Sequence, residues 1–72
     1  MRTVILKNEY ITLGQLLKHL DIISNGAEAK DFLNEYDCWI NGEPDNRRGR
    51  KIRNGDTVKF PNGLEVKVED PK

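Results

Sequence analysis

The amino-acid sequence predicts an α+β domain in which two short helices pack on a small, mainly antiparallel sheet. Three observations carry that expectation. Apolar residues recur twice at helical spacing, at Leu13, Leu16, Leu17 and Leu20 and again at Ala29, Phe32, Leu33 and Tyr36. From Cys38 onward the period becomes that of strands, interrupted by turn signals at Asn41-Gly42, Asn54-Gly55-Asp56 and Pro61-Asn62-Gly63. A chain of 72 residues has room for one small domain, which buries only roughly 60% of the surface its unfolded form exposes.

Taken in order, Val4-Ile5-Leu6 after Arg2-Thr3 is a β-branched run suited to a first strand. Thr12 stands before the first leucine pattern as a candidate N-cap, and the polar side of that helix carries Gln15, Lys18 and His19. A second helix start follows at Ser24-Asn25-Gly26-Ala27-Glu28, with Asn25 three residues ahead of Glu28 as in a capping box. Cys38 and Ile40 then alternate with Trp39 and Asn41, and Pro44 forbids a regular central strand just beyond. Thr57–Phe60 and Leu64–Val68 form the clearest hairpin, spanning 57–68. The expected order is β-α-α-β-β-β in a single unit over 1–72, with the basic segment on a loop between strands.

Composition excludes several classes of function. A single cysteine, Cys38, forms no internal disulfide and points to a reducing, cytoplasmic setting, where it reads as a small buried hydrophobe. Cys38 and His19 do not make the four ligands of a structural zinc site. Apolar runs reach only three residues, too short to span a membrane or act as a signal core. Nor is there a catalytic constellation: His19 and Cys38 belong to different elements, and capping accounts for Ser24. No cofactor, small-molecule substrate or enzyme activity is expected, and the chain is expected as a monomer.

Twelve basic and twelve acidic residues give a formal net charge of zero, which as a bulk property argues against nucleic acid. The layout says otherwise. Residues Arg47-Arg48-Gly49-Arg50-Lys51-Ile52-Arg53 carry +5, leaving −5 spread over the other 65. A dense basic run on a mildly acidic body is a phosphate-binding signature, although a solvated loop can look the same.

Five blocks in one order then resemble a known family: Ile11–Lys18, Gly26–Lys30, Trp39–Glu43, Arg47–Lys51 and Gly55–Val58. Together they are similar to the S4 RNA-binding domain, and more narrowly to the small free-standing bacterial S4-like proteins of the YaaA/YbcJ type. The resemblance runs from about residue 10 to residue 60. It implies the S4-like (αL) fold and binding of structured RNA, such as ribosomal RNA, by the helical pair and the adjacent loop. Two departures stand out. Asn25-Gly26 replaces a frequent glycine pair, tolerable if that position needs a left-handed backbone. Tyr36-Asp37-Cys38 replaces glycine and valine at the start of the strand and puts a negative charge near the proposed RNA face.

Arg47, Arg48, Arg50 and Lys51 are the leading candidate contacts, since the arginine fork suits phosphates and guanine edges and Gly49 keeps the loop open. Arg53 either joins them or caps a strand edge against Asp56. Gln15 and Lys18 share a polar helix face that the resemblance turns towards RNA. Asn25, Gly26 and Lys30 surround the second helix start, where free N–H groups attract phosphate, with Glu28 as a structural competitor for the same groups. Alternation points Trp39 outward, either to stack on a base or to cover the sheet. The alternative function is a protein-interaction module whose basic loop docks on an acidic protein surface.

Overall fold

A computed structural model of the chain describes residues 1–71. Its elements are β1 (Arg2–Ile5), β2 (Tyr10–Thr12), α1 (Leu13–His19), α2 (Glu28–Glu35), β3 (Cys38–Ile40), β4 (Glu43–Asp45), β5 (Lys51–Arg53), β6 (Thr57–Lys59) and β7 (Glu65–Glu69). Five strands form one sheet in the order β1-β7-β6-β3-β4, antiparallel except for the parallel β1–β7 pair, and β2 pairs with β5 in a separate antiparallel ribbon. The fold is α+β, as expected.

Thr12 starts α1 through a complete capping box: its hydroxyl accepts from Gln15 N–H, and the Gln15 side chain accepts from Thr12 N–H. All four leucines of the first pattern are buried. The second pattern divides. Ala29 and Leu33 are buried, Phe32 is half-buried, and Tyr36 lies exposed beyond the helix with its ring centroid 5.2 Å from that of Phe32. The reason is that the chain leaves helical geometry at Tyr36, which is extended (φ −131°, ψ 141°), so helical spacing no longer sets its direction. The buried leucines meet Val58, Phe60, Val66 and Val68 from the sheet in one apolar core, which holds no buried polar side chain among the described residues.

Asn41 and Gly42 make the two-residue turn between β3 and β4, both with positive φ (53° and 85°), the backbone that Asn-Gly favours. Asn41 also accepts from Thr57 N–H at 3.0 Å and donates to Asp56 at 3.0 Å, fastening this turn to the next one. Pro44 lies in β4, an edge strand, where its missing N–H leaves no ladder bond unmade.

Three strands go beyond the expected β-α-α-β-β-β order, namely β2, β4 and β5. The basic run is therefore not wholly a loop, because Lys51-Ile52-Arg53 is strand β5, paired with Tyr10-Ile11-Thr12. Ile52 is fully buried, while Lys51 and Arg53 on either side of it are exposed. Strand alternation thus sorts this end of the run into one core residue and two outward cations.

Candidate nucleic-acid interface

The first turn of α1 has backbone N–H groups without intrahelical partners. Here the basic segment satisfies them: Leu13 N–H donates to the Arg50 carbonyl and Gly14 N–H to the Arg48 carbonyl, each at 2.9 Å. The loop backbone is thereby tied to the helix start, and Arg50 N–H closes a turn onto the Arg47 carbonyl at 3.0 Å. Such close approach leaves little room beyond a glycine at position 14. A Cβ there would stand 3.3 Å from the Arg48 carbonyl oxygen and 3.5 Å from the Ala29 Cβ.

Asp45, at the end of β4, restrains two of the arginines. Its carboxylate accepts from Arg47 N–H at 2.9 Å and from the Arg47 side chain at 3.2 and 2.9 Å, and it lies 3.4 Å from Arg50 Nε. Side-chain hydrogen bonding from Arg47, helped by the nearby Arg50 charge, holds this carboxyl below its ordinary value of 3.8. A folded value below the unfolded one stabilises the fold fully above about pH 4, and that contribution fades as pH falls through the folded value. Asp45→Asn is therefore expected to be less stable than wild type at about pH 6, with the gap closing towards about pH 3. Urea unfolding at the two pH values checks this, and a gap that stays constant would show that the pair contributes nothing.

The docked loop and the helices enclose an open groove of about 410 Å³. Gln15 and Lys18 of α1, Arg48 and Gly49 of the loop, and Gly26 before α2 all line it. Five of the residues singled out from the sequence thus meet in one place. Among the described residues Lys18 and Arg48 make no ion pair, so both cations are available to an anion. Gln15 spends its carbonyl oxygen on the capping box.

Other candidates fall elsewhere. Asn25 does not have the left-handed backbone considered for it; its side chain accepts from Ala27 and Glu28 N–H at 3.0 and 3.2 Å. The reciprocal arm from Glu28 reaches Ser24 N–H at 3.2 Å rather than Asn25. With those donors taken and Glu28 and Asp31 in its first turn, the start of α2 is a poor phosphate site. Lys30 is exposed on α2 and does not line the groove. Trp39 is 38% exposed, on the sheet face turned away from buried Cys38 and Ile40, beside a separate hollow with Lys59 and Thr57. Arg53 N–H donates to Asp56 at 2.8 Å, while the Arg53 guanidinium and the Lys51 ammonium lie over the Tyr10 ring. Tyr10 had no distinguishing mark in the sequence, because its position depends on the pairing of β2 with β5.

Burial, with Asp37 and Asp45 nearby, pushes the Cys38 thiol up to about 11, so it stays protonated and is a poor nucleophile at neutral pH. No group of three or more His, Cys, Asp or Glu able to hold a metal occurs among the described residues. No helix among them is long and apolar enough to cross a membrane.

Comparison with known proteins agrees with the fold. The S4 domain family matches residues 4–69. The chain is also 56% identical over 52 residues to the "Probable ribosome maturation protein RlbA" of Bacillus subtilis (strain 168), a match covering 72% of this chain and 73% of that protein. A match spanning both helices, the ribbon and nearly all of the sheet leaves one assignment: the chain belongs to the S4 domain family.

Proposed function

We propose that this protein binds structured RNA, specifically ribosomal RNA, through the groove between α1 and the basic loop, and that it does so without catalysis. The observation that carries the reading is the presence of two cations without an ion-pair partner among the described residues, Lys18 and Arg48, in a groove whose loop wall is hydrogen-bonded to the helix. Cations on a pre-ordered backbone lose little entropy on meeting phosphate, and a groove of this kind reads the shape of a folded RNA more than its sequence. Membership of the S4 domain family and the name of the Bacillus subtilis relative support a ribosome-related role. In this reading the chain acts in the cytoplasm as a monomeric unit of one domain, with Arg47, Arg50, Lys51 and Arg53 adding longer-range attraction.

Fluorescence anisotropy with purified bacterial ribosomal RNA over a salt series tests it. Neutralising four or five phosphates gives a slope of log affinity against log salt of roughly −3 to −4. Binding that ignores salt, or no binding at about 50 mM salt, overturns the proposal.

A further inference from the structure

Gln15 and Lys18 also line a second hollow, of about 420 Å³, so the exposed side of α1 is a ridge between two depressions. His19 at the end of α1 lines it too, and the rest comes from β1, the turn after it and β2, including Ile5, Lys7, Asn8 and Tyr10. It offers an apolar wall together with an amide and an imidazole, a combination suited to the flat faces and polar edges of a nucleobase.

The surroundings of Tyr10 sharpen the assignment. The register β2–β5 sets Tyr10 opposite Arg53 and Thr12 opposite Lys51, while Ile11 and Ile52 pair between them and Ile52 is buried in the core. The Tyr10 ring, 36% exposed, has Lys51 Nζ 5.0 Å and the Arg53 guanidinium carbon 5.6 Å from its centroid. Neither cation lines the hollow, whereas Tyr10 does. The ring thus has two cations close to it and also borders the hollow. An aromatic side chain already restrained in this way loses little freedom when a base stacks on it, and the cations beside it are placed for the flanking phosphates.

We propose that this second hollow receives an unpaired nucleotide of the bound RNA, its base stacked on Tyr10 and its flanking phosphates met by Lys18 on the ridge and by Lys51 and Arg53. The inference rests on the RNA-binding reading above and extends it from phosphate contact to capture of a single-stranded base. The two hollows would then grip paired and unpaired portions of one RNA on either side of α1.

Ultraviolet crosslinking of the full chain to total bacterial ribosomal RNA, followed by nuclease and trypsin digestion, reads the contact directly. A nucleotide adduct is expected on Tyr10 within the tryptic peptide Asn8–Lys18. Tyr10→Ala is expected to lower affinity for ribosomal RNA about tenfold with an unchanged salt slope, because stacking is lost and no phosphate contact is. Tyr10→Phe should bind like wild type. If RNA binds with the expected salt slope but Tyr10 carries no adduct and Tyr10→Ala binds normally, the hollow is not a nucleotide site and the groove reading survives. If the wild-type chain retains no RNA at all, both proposals fall. The adduct map uses the wild-type chain, so it decides the matter even if the alanine variant does not fold.

Discussion

Replacing Lys18 and Arg48 together with alanine is expected to weaken binding to ribosomal RNA by roughly 100-fold at low salt, about tenfold for each lost charge-assisted contact. The same variant should flatten the salt slope by about 1.5, because two fewer phosphates are neutralised. Both side chains line the groove and neither forms an ion pair among the described residues, so their removal leaves no partner charge unpaired. Stability should stay within about 0.5 kcal/mol of wild type, as for other surface substitutions away from structural features. Lys30→Ala is the matched control: it deletes a positive charge from an exposed helix position outside the groove and should cost far less affinity. Equal losses from Lys30→Ala and from the groove pair would mean that attraction is diffuse, and the groove would lose its special place.

This pair is a cleaner test than Arg47 and Arg50, although all four belong to the cationic set. Arg47 and Arg50 share Asp45, so deleting them leaves an unpaired carboxylate beside the loop and mixes lost attraction with new repulsion. The basic run is thus three arrangements rather than one cloud of charge. Two arginines are tethered to an aspartate, one faces the groove, and the last two cations flank a tyrosine. Zero net charge then has a use: the acidic body opposes indiscriminate adhesion while Arg48 at the groove and Lys51 and Arg53 beside Tyr10 supply local attraction.

How much of this was legible in the sequence depended on whether a feature was local. The α1 leucines and the Thr12 cap are determined within one helix turn, and the hairpin over 57–68 within one reversal, so spacing alone located them. Strands β2 and β5 are three residues long, with one apolar residue facing inward in β5 among charged neighbours, and the run Arg50-Lys51-Ile52-Arg53 looks like solvent-exposed loop. Only their pairing with each other makes them strands. Tyr10 and the tether at Asp45 were hidden for the same reason, since each acquires its partners through a contact between elements. Trp39 shows the intermediate case. Alternation gave its outward direction correctly but not which surface it would occupy, and the sheet places it by Lys59 rather than in the groove.

Gly14→Val should impair RNA binding without altering any charge. Gly14 is where the loop backbone comes closest to α1, with the Arg48 carbonyl oxygen 3.3 Å and the Ala29 Cβ 3.5 Å from the position of an added Cβ. Alanine at this site sets a helix-propensity gain of about 1 kcal/mol against that tight contact, so its net effect is small. Valine adds two further methyl groups beside the same neighbours, and the loop must move away from the helix. The hydrogen bonds from Leu13 and Gly14 N–H to the Arg50 and Arg48 carbonyls then lengthen or break. Lost hydrogen bonds together with overpacking correspond to a destabilisation of about 2–4 kcal/mol, measurable by urea unfolding. In a small domain that is a large fraction of the total, so binding is best measured well below the melting temperature, where the variant remains folded. There it should bind ribosomal RNA roughly tenfold more weakly with a nearly unchanged salt slope, because the cations are kept but no longer held in place. Gly26→Ala provides the contrast: although Gly26 also lines the groove, nothing lies within 4 Å of a Cβ there, so neither the loop nor the helix has to move. Normal binding by a folded Gly14→Val variant would show that the loop works as a flexible charged tether, whatever backbone it is tied to.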